Sequence, residues 1–305
     1  MRLLSERATL VVTAVVSVVI VGALLRVVGG PDVLSQLGRI GVRGPLIVAL
    51  AWVPLLGAQT LRWRASVVAV TRRPFVELAL MRGLGNALNA FLPARAGDVA
   101  RIELLARRSG VDRRTIAGVE LVDLVIDKLG WLPAMLVVAA FGHPPHWLVR
   151  AVPWIAGAGA LGLGFLFLVR RLPRVPRWLK PLQLGLVVHS ERAIAARALL
   201  LGPLPWLVET TGIMIASHFA GVPLDLSGAF AALTAMNLAY AIPIPANAGT
   251  IEVSLTGSLT ARGIESAPAM AFAVAYHIGQ VVPMVLVGLG AAWWLRRRAD
   301  PSTVL

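Results

Sequence analysis

Residues 8–25 of the chain read ATLVVTAVVSVVIVGALL, which is 18 residues without a charged side chain. A helix needs roughly 17 to 25 such residues to cross the hydrocarbon core of a bilayer. A cleaved signal peptide is the alternative, because Arg2 and Arg7 precede this segment. Signal peptides have shorter apolar cores of about 7 to 15 residues, and no small-x-small cleavage site follows this one. We therefore predict a membrane span that stays in the chain.

The composition of the whole chain agrees with this prediction. Of the 305 residues, 57% are hydrophobic and 14% are charged, and the mean hydropathy is +0.78. Too few polar residues are available to cover a water-soluble globule. Further apolar segments occupy residues 45–61, 75–92, 115–141, 151–169, 199–220, 228–248 and 268–295. We predict an all-α, polytopic membrane protein in which residues 1–305 form a single membrane domain.

The distribution of Lys and Arg predicts the topology. Of 29 such residues, 22 fall into five groups, at residues 2–7, 62–73, 95–114, 170–197 and 296–298. Cytoplasmic loops of membrane proteins carry an excess of Lys and Arg. We therefore predict a multi-pass protein of the cell membrane with both termini cytoplasmic and a basic cytoplasmic loop at 170–198. The same bias explains the net charge of +14, so no nucleic-acid partner is predicted.

Two apolar segments, 75–92 and 228–248, end in Pro, Gly and Asn and are predicted to be re-entrant or broken helical hairpins. The first lies between two cytoplasmic groups and must enter and leave the membrane on one side. The second is entered from outside. Lipid cannot satisfy the backbone groups that such breaks expose, so these ends must face protein or water. The chain is thus predicted to have about six full spans and two hairpins.

A repeated motif relates the two hairpins. Pro-Ala-Arg-Ala-Gly-Asp at 93–98 matches Pro-Ala-Asn-Ala-Gly-Thr at 245–250, an offset of 152 residues. Adding 152 to the residue numbers of the spans 45–61 and 115–141 places them on two later spans of the chain. We predict an inverted repeat with units 45–141 and 197–293, an architecture that recurs in transporters. The alternative is that Ala, Gly and Pro recur in membrane helices by composition alone.

Ionisable side chains inside the apolar segments are candidate site residues, because a charge in lipid must be paired or functional. Glu120, Asp123 and Asp127 have the spacing of one helical face. This acidic stripe is either part of a binding site or a structural salt-bridge lock. Its expected cationic partners are Arg82, Arg95, Arg101 and Lys128. Candidates in the second unit are Glu209, Asn237, Asn247, Glu252 and His277, with Arg95 or His277 as the expected partner of Glu209.

A broken hairpin with arginines suits an anionic ligand. Backbone N–H groups at helix ends and the guanidinium groups of Arg95 and Arg101 can bind phosphate. A phospholipid or polyprenyl-phosphate headgroup is therefore the predicted ligand. The chain has no cysteine and no hydrolase, metalloprotease or nucleotide-binding motif, so we predict no catalytic residue, cofactor or metal site. The basic stretch 170–198 could alternatively lie on an anionic leaflet as an interfacial helix.

The sequence around the first hairpin resembles a known family. The run from Asn86 to Arg101, NALNAFLPARAGDVAR, and the acidic helix that follows with Asp123 and Asp127 resemble the lysylphosphatidylglycerol synthase transmembrane-region family of flippase-like membrane proteins. Residues 245–249 fit its second signature. The resemblance implies lipid translocation. Larger members have a separate lipid-modifying domain, whereas this chain ends at Leu305, so we expect translocation without synthesis and a separate lipid-modifying enzyme as a candidate partner.

We expect the site to bind a lipid headgroup, with membrane lipids as the remaining partners. The residues expected to hold the headgroup from the first hairpin are Asn86, Asn89, Arg95, Asp98 and Arg101. Asp123 and Asp127 would balance charge, with Asn247, Glu252 and His277 in the opposed unit. Two other functions fit the sequence: a membrane enzyme or partner subunit acting on a lipid-linked glycan precursor, and a secondary transporter of a small anion.

Overall fold

A computed structural model describes residues 30–92, 96–240, 247 and 249–297 of the chain. The described residues form helices and no strands. The predicted first span at 8–28 lies outside them. So do Arg95 and the prolines of both repeated motifs, Pro93 and Pro245.

The helices follow one another along the chain with short connections. The first seven are α1 (Gly30–Ile40), α2 (Arg43–Val67), α3 (Phe75–Phe91), α4 (Ala96–Ser109), α5 (Arg113–Leu129), α6 (Trp131–Phe141) and α7 (His146–Arg171). They are followed by α8 (Lys180–Val188), α9 (Arg192–Leu201), α10 (Leu204–Phe219), α11 (Leu226–Ala239), α12 (Thr250–Thr260) and α13 (Ser266–Arg297).

Five helical stretches among the described residues are long and apolar enough to cross a membrane. They are Arg43–Val67, Arg113–Phe141, His146–Arg171, Arg192–Phe219 and Ser266–Arg297. Each corresponds to one of the spans predicted from the sequence, and α11 is a shorter apolar helix. The prediction of an all-helical, multi-pass membrane protein is therefore confirmed.

The segments predicted as hairpins form pairs of helices. Near the break between α3 and α4, Asn89 contacts Asp98, and at their far ends Arg108 Nη1 lies 3.1 Å from Glu77 Oε1. The pair α11 and α12 is closed in the same way, by Arg262 Nη2 at 2.7 Å from Asp225 Oδ1. In both pairs an acidic residue at the start of the first helix meets an arginine at the end of the second. The re-entrant path and the inverted orientation of the repeats stay predictions.

The described residues fall into two compact units. Unit A comprises residues within 54–82 and 99–209, and unit B comprises those within 30–53, 83–98 and 210–297. In unit B, α1 packs on α13 through Val33, Ile40, Met270 and Ala275. In unit A, Val122 and Ile126 of α5 form a core with residues of the neighbouring helices.

Glycines allow α8 to lie directly against α5 in unit A. A Cβ atom added at Gly118 would meet the carbonyl oxygen of Pro181 and the backbone nitrogen of Gly185. Small residues of this kind let the backbones of membrane helices approach closely. Leu182 adds a buried apolar contact to Val122 and Ile126. The stretch 170–198, predicted as a basic loop, therefore contains a helix that packs on the acidic span, and its cytoplasmic position stays a prediction.

Candidate functional site

The centre of the charged cluster in unit A is the pair formed by Arg62 and Asp123. Arg62 Nη1 donates hydrogen bonds to Asp123 Oδ1 at 2.7 Å and to its backbone oxygen at 2.9 Å. Ser66 Oγ donates to the same Oδ1 at 2.9 Å. The side chains of Arg62 and Asp123 are only 1% and 4% exposed. This is therefore a fully buried salt bridge with hydrogen-bonded partners on α2 and α5.

Arg62 was not predicted as a partner of the acidic stripe. The apolar run 45–61 ends just before it, so the sequence grouped Arg62 with the cytoplasmic basic residues. In the structure α2 continues to Val67 and carries Arg62 into the protein. The signal that could have found it is the run of Trp63, Ala65 and Ser66 after Arg62, which prolongs the helix by almost two turns.

Glu120 is held by two helices. Arg101 Nη2 on α4 lies 2.6 Å from Glu120 Oε2, and Trp63 Nε1 on α2 donates to Glu120 Oε1 at 2.6 Å. The Arg101 guanidinium also lies over the Trp63 ring, 5.1 Å from its centroid. Arg101 is one of the predicted partners, and the contact confirms that pairing. Glu120 is buried, at 7% exposure, although it lies near the start of the span.

Asp127 is the most accessible acid of the stripe. Its side chain is 22% exposed, and its carboxylate lies 3.4 Å from Arg62 Nη2 and 3.3 Å from Lys128 Nζ. Its backbone oxygen accepts a hydrogen bond from Trp206 Nε1 at 2.8 Å. The three acids thus face α2 and α4 as one stripe, and their ion pairs tie α2, α4 and α5 together within unit A.

Arg82 was predicted as a partner of this stripe but pairs with none of its acids in the described structure. Its Nε donates to Gln59 Oε1 at 3.4 Å instead. The reason is that Arg62 and Arg101 already occupy the carboxylates of Asp123 and Glu120. Arg95, another predicted partner, lies outside the described residues.

In unit B two of the predicted residues of the first hairpin, Asn89 and Asp98, meet at the start of α4. Asn89 Nδ2 donates to Asp98 Oδ1 at 2.9 Å, and the backbone N–H of Asp98 donates to Asn89 Oδ1 at 3.2 Å. Gly97 permits this contact, because a Cβ atom there would meet the carbonyl oxygen of Gly85. Asn86, one turn before Asn89 on α3, is partly buried.

The second hairpin brings three predicted residues together at the start of α12. Glu252 Oε2 accepts a hydrogen bond from the backbone N–H of Gly249 at 2.7 Å, and its Oε1 lies 2.6 Å from His277 Nδ1. Glu252 and His277 are 5% and 12% exposed. Asn247 has a φ of 52°, a conformation that asparagine tolerates, and its backbone oxygen accepts a bond from Thr250. The cluster joins the helix start to α13.

Two further predicted residues lie on other helices. Glu209 is partly buried on α10, and the expected pairing of its carboxylate with Arg95 or His277 stays a prediction. Asn237 Nδ2 donates to the backbone oxygen of Leu233 at 3.1 Å, within α11. The burial of Glu209 and the bond of Asn237 do not identify a ligand.

Glu252→Ala is expected to lower the free energy of unfolding by about 2 kcal/mol, because the N–H of Gly249 and the imidazole of His277 both lose a buried acceptor. The measurement is denaturation of the purified protein in mixed micelles with rising dodecyl sulfate. The control is Glu265→Ala, at an exposed position just before α13, which should change the midpoint little. Equal effects of the two variants would show that the cluster at α12 adds no stability.

The spans and the buried ion pairs define a helical, multi-pass membrane protein with charged side chains held inside its helical core. Residues 10–288 match the family described as lysylphosphatidylglycerol synthase TM region, and the chain belongs to this family. The family is a membrane domain associated with lipid handling. The resemblance found around residues 86–101 is thereby confirmed. No curated protein and no solved structure shows a significant match to the chain.

Proposed function

We propose that this protein is a lipid flippase of the cell membrane, which moves a phospholipid or polyprenyl-phosphate-linked lipid between leaflets without hydrolysing ATP. The observation that carries the proposal is the charged cluster of unit A, formed inside the helices of a lipid-handling family. Charged side chains in membrane helices are costly, and where they occur they mark substrate or ion pathways. Arg101 with Glu120 and Arg62 with Asp123 are such side chains.

The charge pattern of this cluster supports a polar headgroup as the cargo. A headgroup that crosses the hydrocarbon core needs polar partners along its path, since lipid tails offer none. Paired arginines and carboxylates can exchange partners with a bound phosphate or amine while the net charge of the site changes little. Asp127 is the acid best placed to exchange, because it is the most exposed and its contacts to Arg62 and Lys128 are longer than those of Asp123.

The remaining residues of the proposed site fall into two groups. In the first hairpin Asn86, Asn89, Arg95 and Asp98 would contact the headgroup together with Arg101. Asn237, Asn247 and Glu252 of the second hairpin and His277 of α13 would act from the opposed repeat unit, with Glu209 on α10. The contacts of Asn89 with Asp98 and of Glu252 with His277 support this grouping, because each pair already lies at a helix start. A helix start offers backbone N–H groups to an anion.

Asp127→Asn is expected to lower the rate of lipid translocation at least about tenfold, which corresponds to about 1.4 kcal/mol, because the amide cannot exchange cationic partners. The protein is reconstituted into liposomes with nitrobenzoxadiazole-labelled phosphatidylglycerol, and dithionite reports the label that reaches the outer leaflet. Arg95→Ala should give a similar loss. The matched controls are Glu103→Gln and Arg107→Ala, an exposed pair on α4, which should keep the wild-type rate.

Three outcomes of this assay would contradict the proposal or part of it. Wild-type rates no faster than protein-free liposomes would exclude a flippase under these conditions. Unchanged rates in both Asp127→Asn and Arg95→Ala would remove these residues from the site. A chemically altered lipid in the extract, seen by mass spectrometry, would favour an enzyme that acts on lipid-linked precursors.

A further inference from the structure

One buried cation of unit A makes no ion pair with any of the described residues. Arg82 on α3 is 9% exposed, and its Nη1 is buried with no hydrogen-bond partner. Its Nε donates a hydrogen bond to the neutral side chain of Gln59, at 3.4 Å from Oε1. A buried guanidinium in this state costs several kcal/mol unless an anion or water joins it. The position therefore calls for a negatively charged group.

The three acids near Arg82, which are Glu120, Asp123 and Asp127, make their ion pairs with other cations. Arg82 interacts electrostatically with Asp123 and Glu120 and is repelled by Arg62 and Arg101. Asp123 is bound to Arg62 and Ser66, and Glu120 to Arg101 and Trp63. Turning either acid toward Arg82 would leave another buried arginine unpaired. Among the described residues, the local arrangement is thus two ion pairs beside a guanidinium whose Nη1 has no hydrogen-bond partner.

The charge count of the cluster points to a single negative charge as the missing partner. The members of the cluster are the cations Arg62, Arg82, Arg101 and Lys128 and the carboxylates of Glu120, Asp123 and Asp127. Among these described residues cations exceed carboxylates by one, and Arg82 is the cation that makes no ion pair with the others. A phosphodiester carries one negative charge at neutral pH and presents two oxygens to the planar fork of a guanidinium. A headgroup that carries no negatively charged group would leave the excess positive charge of the cluster unbalanced.

We propose that Arg82 is the phosphate-binding residue of a headgroup subsite in unit A, which selects ligands with a phosphodiester or phosphomonoester group. The assignment of the phosphate to a lipid rests on the proposed function. Arg62 and Arg101 stay paired with their acids and surround the subsite with positive charge. Arg82 then makes the ion pair with the phosphate, in addition to the headgroup contacts that the proposed function assigns to Arg95 and Arg101.

The first test is binding to the purified full chain in detergent, measured by calorimetry with dioctanoyl phosphatidylglycerol. Wild-type protein should bind it, and Arg82→Met should weaken binding at least about tenfold, or about 1.4 kcal/mol. Arg82→Lys should give an intermediate affinity, because it keeps the charge but loses the fork. The matched control is Arg64→Met on α2, an exposed arginine, which should bind as the wild type does. Dioctanoylglycerol, which has the same chains and no phosphate, should bind far more weakly.

A second measurement keeps the proposal falsifiable if a variant folds poorly. Without ligand, Arg82→Met removes an unpaired buried charge, so it should raise the unfolding midpoint of delipidated protein by about 2–4 °C. It should also abolish the stabilisation that phosphatidylglycerol gives the wild type. A clear loss of stability in ligand-free Arg82→Met would show that Arg82 has a protein partner and would overturn the proposal. Equal lipid affinity of the wild type and Arg82→Met would also overturn it.

Competition with inorganic phosphate separates the two sources of the group. Displacement of the lipid by millimolar phosphate would assign an anion site that free phosphate can also fill. No displacement, with Arg82-dependent lipid binding, would assign the subsite to the lipid headgroup.

Failure of this proposal is distinct from failure of the proposed function. Translocation that is indifferent to Arg82→Met would refute the subsite alone, whereas Arg82-dependent binding without translocation would refute the flippase alone.

Discussion

Replacing Asp123 with alanine is expected to lower the free energy of unfolding by about 3–5 kcal/mol. The carboxylate of Asp123 is the direct counterion of Arg62, at 2.7 Å, and the side chain of Arg62 is 1% exposed. Its loss leaves a buried guanidinium with only the longer contact to Asp127, at 3.4 Å, and the backbone oxygen of residue 123. The measurement is the denaturation midpoint in mixed micelles with rising dodecyl sulfate, followed by helical circular dichroism.

A double-mutant cycle separates the ion pair from simple loss of packing. Arg62→Ala alone should lower the free energy of unfolding by a comparable amount, because it leaves the buried carboxylate of Asp123 without its cationic partner. Arg62→Ala combined with Asp123→Ala should cost much less than the sum of the single variants. The matched surface pair is Arg107 with Glu103, whose side chains are 73% and 40% exposed. Breaking that pair should change stability by at most about 1 kcal/mol, and equal losses at both sites would contradict a buried lock.

Gly118→Val is expected to destabilise the protein by at least about 3 kcal/mol, at the upper end of the usual cost of overpacking. The Cβ atom would collide with backbone atoms of Pro181 and Gly185, which cannot move aside as a flexible side chain would. The expected result is that α8 separates from α5. Two measurements check it: the denaturation midpoint, and trypsin cleavage in the stretch 170–198, which should accelerate when α8 detaches.

The control for this prediction is Gly162→Val on α7. A Cβ atom at Gly162 meets nothing within 4 Å, so the added side chain requires no shift of neighbouring atoms. Its effect should stay within about 1 kcal/mol, the size of a helix-propensity change. Unchanged trypsin cleavage in Gly118→Val, beside an unchanged midpoint, would show that the close approach of α5 and α8 is dispensable.

The salt-bridge lock and the functional interpretation of the acidic stripe are both compatible with these contacts. Every acid of the stripe has a cationic partner in unit A, as the lock requires. Asp127 and Arg82 differ from the rest, because one is partly exposed and the other lacks a counterion. The stability of Asp123→Ala and the transport rate of Asp127→Asn therefore test different parts of the same cluster.

Hydropathy alone determined most of the fold. The spans 45–61, 115–141, 151–169, 199–220 and 268–295 each correspond to a membrane-length helix. The physical reason is that lipid requires long, continuous apolar helices. Such a helix can be recognised from consecutive residues, without knowledge of any long-range contact. The spacing of Glu120, Asp123 and Asp127 likewise follows from helix periodicity.

Partner choice was decided only by the tertiary structure. Arg62 looked like a loop residue and is the buried counterion of Asp123, whereas Arg82 looked like a counterion and has none among the described residues. The sequence gives the number of charges but not the distances between helices that are far apart in the chain. The close approach of Gly118 and Gly185 is of the same kind, since it depends on how α8 folds back on α5. Pairing depends on packing geometry, and hydropathy carries no information about it.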